Sequence, residues 1–150
     1  MRNEANNELR RSSRQYATFV VHDLFLGVDV LKVQEVLRYQ QMTPVPRADG
    51  VIEGLINLRG QIVTAFDMRR RLGLPDRPAE REPMNVVIRA DDGAVSLLVD
   101  EIGDVIEVDS DDFEPPPETI SRAAREVIEG VYKLSDRLLL VLSSEKALRS

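Results

Sequence analysis

The 150-residue sequence predicts an all-β fold, a barrel or sandwich put together from two related small units. Proline and glycine divide the chain into short segments. Most of these alternate polar with apolar residues or carry β-branched side chains, the pattern of a pleated surface buried on one face. The chain also matches itself at two offsets, and its 43% hydrophobic content is enough for a real interior.

Residues 1–15, MRNEANNELRRSSRQ, are polar without an apolar run and read as a disordered tail. YATFVVHDLFLGVDV opens the sheet, with Phe19 and Val21 on one face, then Leu26, Val28 and Val30. The apolar spacing at Val30, Val33 and Val36 in the following LKVQEVLRY fits either a helical turn leading into a strand or one irregular strand. QMTPVPRADG is a connection, because Pro44 and Pro46 remove backbone donors and keep the chain extended.

Leu55 to Leu58 form a strand, Arg59 and Gly60 the turn, and Gln61 to Phe66 the return strand. Gly60 supplies the positive φ that a tight hairpin demands. Asp67 caps a short helix through Leu72, which Gly73 ends and Pro75 forbids from continuing. RPAEREP, 77–83, is the linker, dividing a first barrel subdomain, 16–79, from a second, 80–150. MNVVIRA and AVSLLVDEI are strands about the turn Asp91-Asp92-Gly93, and GDVIEVD continues the sheet until DSDDFEPPPE breaks it. IEGVYKLSDRLLLVLSSEKAL alternates at Ile128, Gly130, Tyr132 and Leu134, turns near Ser135-Asp136, and ends in a short helix capped by Ser143 or Ser144.

An offset of 76 pairs Gly54 with Gly130, Leu58 with Leu134, Val63 with Leu139, Asp67 with Ser143 and Leu72 with Leu148. The repeated unit is strand, turn, strand, capped helix. An offset of 69 sets LGVDVLKVQEV beside VSLLVDEIGDV and pairs Glu35 with Asp104. Each half then carries the same order of parts, and halves of about 65 residues bury too little surface to stand alone. Two barrels leaning together with a groove at their seam are expected.

Composition excludes several functions. A net charge of −6 speaks against nucleic acid as the main partner, since phosphate binding draws on clustered Lys and Arg. Arg69, Arg70 and Arg71 are the one basic run after the tail and read as a solvated helical face. No segment has the roughly 20 apolar residues of a membrane span, and none at the start resembles a signal peptide. The absence of cysteine rules out disulfides and thiolate metal sites and favours the cytoplasm.

LGVDVLKVQEVLRY, GLINLRGQIVTAFDMR, LLVDEIGDV and KLSDRLLLVLSSEKAL, in that order from about Tyr16 to Leu148, resemble the CheW family, adaptors that couple bacterial chemoreceptors to the CheA histidine kinase. The most specific block is NLRG followed by an apolar strand and D-x-R. The resemblance implies one domain, 16–148, of two five-stranded SH3-like β-barrels packed side by side, with short helices including one at the C-terminus. It further implies a non-enzymatic scaffold without cofactor or metal. Its partners would be the regulatory domain of CheA and the cytoplasmic tip of methyl-accepting chemoreceptors, with recruitment to receptor clusters at the inner membrane. Two departures bear on partner choice: Thr64 stands where the family usually has proline, and Asp49 and Val51 stand where a proline and an aromatic are common.

Carried over by position, the receptor-facing groove would involve Val33, Glu35, Arg59, Gly60, Val86 and Val87, with Arg59 and Glu35 as a pair bridging the hairpin to LKVQEV. The three valines fit plain core equally well. The kinase-facing surface would centre on Val99, Ile102 and Val105. Two other readings remain: a protein-binding module of another signalling pathway, and a small hydrolase using Asp100 and Glu101, which is disfavoured because neighbours on a strand point to opposite faces. His22 beside Asp23 reads as structural or solvated. Asp109, Asp111 and Asp112 lack the glycine and distal glutamate of a calcium loop and read as an acidic turn.

Overall fold

The computed structural model describes residues 13–48 and 50–148. Ten strands form two five-stranded sheets, the all-β architecture expected. In chain order they are β1 (Ser13–Val21), β2 (Leu24–Asp29), β3 (Val33–Leu37), β4 (Ile52–Leu58), β5 (Gln61–Asp67), β6 (Met84–Ala90), β7 (Gly93–Val99), β8 (Glu101–Asp109), β9 (Ile128–Lys133) and β10 (Leu138–Leu142). Three short helices accompany them, α1 (Met68–Arg71), α2 (Arg122–Val127) and α3 (Ser144–Ala147). Of the expected disordered tail, residues 1–12 lie outside the described residues. Ser13 to Gln15 belong to β1, where they pair with Asp109 to Glu107 of β8.

The first sheet has the order β8-β1-β2-β10-β9 and the second β3-β6-β7-β5-β4. This corrects the division at 79/80: a cut there separates β5 from β6 and β7, which share a sheet. The two repeats themselves hold. Each offers five strands in the same order, and each sheet takes two strands from one repeat and three from the other. The halves meet twice within each sheet, at the antiparallel β8–β1 and parallel β2–β10 pairs of the first and at the antiparallel β3–β6 and parallel β7–β5 pairs of the second. The crossing has a local cause. A one-turn 3-10 helix, Val30–Lys32, capped by Asp29, redirects the chain after β2, and Asp100 breaks AVSLLVDEI into β7 and β8. LKVQEV is therefore a helical turn followed by a strand, the first of the two possibilities that its spacing allowed.

Strand alternation sorts side chains into three apolar clusters. Phe19, Leu26, Val28 and Leu142 of the first sheet meet Phe66, Ile88, Leu97 and Val99 of the second in a shared main core. Ile56, Val63 and Val87 fill the second unit, while Tyr16, Tyr132 and Leu139 fill the first. Burial raises the Tyr16 hydroxyl above its ordinary pKa, helped by its hydrogen bond with Tyr132. Each sheet is drawn round on itself by one bridge, Thr43 to Leu55 and Glu114 to Val131, which carries the chain leaving one edge strand to the opposite edge. The paired glycines of the repeat make room for this crossing. A Cβ on Gly54 would lie 2.8 Å from the Thr43 carbonyl oxygen, and one on Gly130 would lie 2.2 Å from Phe113 Cζ.

Candidate functional site

Between the second sheet and helix α3 runs a groove of about 670 Å³. Lys32, Ile62, Phe66, Arg89, Val95 and Leu148 line it. Ile62 is 60% exposed, an unusual position for a large apolar side chain on β5. Lys32 Nζ donates to Ser144 Oγ at 3.2 Å, tying the helical turn after β2 to α3. Arg89 Nη1 donates to the carbonyls of Leu31 and Val33 at 2.9 and 3.1 Å, which fixes the start of β3 beside the groove. The turn acids Asp91 and Asp92 give the rim its opposite charge.

None of the six expected receptor-facing residues lines this groove; the structure exposes some of them elsewhere and buries others. Arg59 and Gly60 form the β4–β5 turn, with φ values of 50° and 87°, and Asn57 Oδ1 accepts the Gly60 N–H at 2.9 Å. The Arg59 guanidinium pairs with the Glu35 carboxylate on β3, the expected bridge between hairpin and LKVQEV. Arg59 is largely exposed and Glu35 mostly covered. Val33 is half-buried against the main core. Val86 and Val87 are correctly described as core and not as contact residues: they are 1% and 0% exposed, Val86 in the shared core and Val87 inside the second unit. Strand alternation sends the two to opposite sides of β6, and both sides are covered.

The expected kinase-facing residues divide in the same way. Val99 is fully buried in the main core, which corrects its assignment to a surface; Ile102 is half-buried; Val105 is 56% exposed on the edge strand β8. The offset of 69 makes Val36 its counterpart, and Val36 is 45% exposed on the edge strand β3. The sequence reading missed Ile62 and Leu138, which the offset of 76 relates and which are both exposed. Each sits in an apolar strand among residues that alternation assigns to the core, and neither stands out without the sheet order.

The basic run is not a uniform solvated face. Arg69 is 5% exposed, and its Nε and Nη2 donate to the Asp100 carboxylate at 3.1 and 2.7 Å. Asp100 also accepts from Arg77 Nε at 2.8 Å and from the His22 backbone N–H at 2.7 Å. Burial opposes the Asp100 charge, but Arg69, the His22 amide and Arg77 outweigh it and hold the carboxyl at about 2. The Asp100 bond in turn raises the Arg69 pKa. A carboxylate so held is a poor proton acceptor, and Glu101 turns instead to Arg81, so the pair does not assemble the base that hydrolysis would need. His22 sits at an exposed turn with φ 56°. Asp109 accepts the Asp111 N–H at 2.9 Å and caps a 3-10 turn, as an acidic turn would.

Comparison with known proteins decides the family. The CheW-like domain family model matches residues 15–150. The chain belongs to the CheW-like domain family. It is 30% identical over 138 residues to the chemotaxis protein CheW of Bacillus subtilis, covering 92% of this chain and 88% of that protein. It is 29% identical over 140 residues to CheW of Treponema pallidum, covering 91% of this chain and 82% of that protein. In structure it matches the scaffolding protein TtCheW of Thermoanaerobacter tengcongensis with a TM-score of 0.76 and 28% identity, covering 86% of this chain and 88% of the other. The strand exchange and the groove are thus features of a CheW-like domain. Thr64 lies in the groove wall.

Proposed function

We propose that this CheW-like chain is a non-enzymatic adaptor that couples chemoreceptors to the CheA histidine kinase, binding a receptor tip in the groove and the kinase's regulatory domain at an edge strand. The observation that carries the reading is the open groove itself, with exposed Ile62 in its wall and charged residues of both signs among its lining. An apolar anchor inside a polar rim is the usual anatomy of a protein-binding surface. Val105, with half-buried Ile102 beside it, offers a second and separate apolar contact on β8. The mechanism is positional: holding both partners on one small rigid body raises their effective concentration, and the receptor's conformation biases the kinase. The site of action would be the cytoplasmic side of the inner membrane, at receptor clusters. Among the described residues no helix is long and apolar enough to cross a membrane.

The test is Ile62→Asp. It is expected to weaken binding of a soluble chemoreceptor cytoplasmic fragment at least tenfold while leaving CheA binding and thermal stability near wild type. Unchanged receptor binding would move the receptor site elsewhere. Loss of both partners together would mean that the groove does not separate them.

A further inference from the structure

The offset of 69 that relates β3 to β8 reverses their charge. It takes Lys32 to Glu101, Val36 to Val105 and Arg38 to Glu107. Each strand lies at an edge of its sheet, and all six residues are exposed. Alternation puts Val36 and Arg38 on the outward face at β3, and Glu101, Val105 and Glu107 on the outward face of β8. Two related edges therefore present the same apolar centre, a half-exposed valine, between charges of opposite sign.

The surroundings of each centre keep these signs. β8 holds Glu101, Asp104, Glu107 and Asp109 without a Lys or Arg, and Asp111 and Asp112 follow it. Arg81 pairs with Glu101, and Arg14 of β1 stands opposite Val108. Glu107 accepts from the Ser13 hydroxyl, a neutral donor. At the other edge, Lys32 and Arg38 bracket β3, and Arg89 donates to the Val33 carbonyl at 3.1 Å. The acid of β3 itself, Glu35, is mostly covered and already paired with Arg59. The Arg38 guanidinium has no hydrogen bond or ion pair among the described residues. In a chain of net charge −6 the β3 edge is thus a local patch of positive charge.

We propose that the outward face of β3 on one copy of this chain docks on the outward face of β8 on another, with Val36 against Val105 and Arg38 against Glu107. Two strands set side by side in the same direction at that register also bring Lys32 to Glu101. The opposite pairings, β3 on β3 and β8 on β8, place like charges together and are disfavoured. The contact joins two different surfaces, so each copy keeps one of them free and the association repeats into rings or chains. It is weak and salt-sensitive, because one valine pair between exposed ion pairs buries little area and solvent ions screen the charges. The inference does not rest on the receptor or kinase contacts proposed above. It does use the β8 edge assigned there to the kinase, so a copy seated on that edge excludes CheA.

The test is sedimentation velocity of the full chain over a concentration series at low salt. The average mass of the wild type is expected to rise with concentration and to fall back toward that of one chain as sodium chloride is added. Arg38→Glu and Glu107→Arg are each expected to weaken association about tenfold or more, and the double variant Arg38→Glu/Glu107→Arg to restore it, since the pair is then reversed and intact. Both side chains are exposed, so thermal unfolding of all three variants should match wild type. A wild type that stays monomeric at every concentration overturns the inference; if the regulatory domain of CheA then still binds in a Glu107-dependent way, the β8 edge serves the kinase alone. Association that salt does not weaken, that neither single variant weakens, or that the double variant fails to restore overturns it as well.

Discussion

Arg69 grips Asp100 where the chain crosses from one sheet to the other, with Nη2 2.7 Å from the carboxylate and both side chains almost wholly buried. Arg69 follows β5 of the second sheet, and Asp100 lies between β7 of that sheet and β8 of the first. The pair joins the second sheet to the point of exchange, and the His22 amide extends the network to the β1–β2 turn.

Breaking the pair should therefore be costly. Arg69→Ala leaves a buried carboxylate with reduced compensation, a change of about 3–5 kcal/mol. Thermal or denaturant unfolding should show this loss. The double variant Arg69→Met/Asp100→Leu still leaves buried Arg77 without its carboxylate, yet it should lie closer to wild type than Asp100→Leu alone, which strands both guanidiniums.

The same group sets an acid limit. The folded pKa of Asp100 is about 2, below its ordinary value of 3.8, so folding favours the charged form. Its contribution, roughly 2 kcal/mol by linkage, is full above pH about 4 and is lost as the pH falls through about 2. In Asp100→Asn the contribution is absent, so the difference in unfolding free energy from wild type should shrink across that window.

Gly130→Ala places a methyl 2.5 Å from the Glu114 carbonyl oxygen and 2.2 Å from Phe113 Cζ, and Phe113 already packs on Tyr132. A loss of about 1–3 kcal/mol is expected from overpacking at the bridge. Gly50→Ala, with nothing within 4 Å of the added Cβ, is the control and should unfold near wild type.

Arg59→Ala removes a mostly exposed partner of Glu35. A pair of this kind contributes about 0–1 kcal/mol, so the melting point should hardly move. Receptor-dependent kinase stimulation should fall. If the variant unfolds without a selective effect on binding, Arg59 belongs to the fold alone.

Val105→Asp tests the edge of β8. Its side chain is 56% exposed, so stability should stay within about 0.5 kcal/mol of wild type, while affinity for CheA drops with receptor-fragment binding unchanged. A pull-down titration separates these outcomes.

Much of the fold was legible because local chemistry and tertiary need coincide. Gly60 at the turn, Asp67 and Ser143 as caps, and the offset pairs Leu58/Leu134 and Val63/Leu139 all sit where the sequence puts them. Helix α2 was missed, although Ser121, whose Oγ accepts the Ala124 N–H at 3.1 Å, precedes an alanine-rich turn that the capping rule would have marked. The sheet partition was not legible, because periodicity reports which face a residue takes and not which strand lies beside it. For the same reason Val86, Val87 and Val99 could not be told from surface contacts, nor Ile62 from core. Arg69 was hidden by its company, since in a run of three arginines only the distant Asp100 decides which one turns inward.

Because each repeat lends its opening hairpin to the sheet completed by the other, neither lobe is a self-sufficient piece of the chain. Melting should proceed in one cooperative step with no lobe outlasting its mate, and severed repeats should regain shape only when mixed. The interlocked geometry transmits a push on one lobe to the other through covalent backbone as well as through packed surface, a useful property for the coupling role proposed.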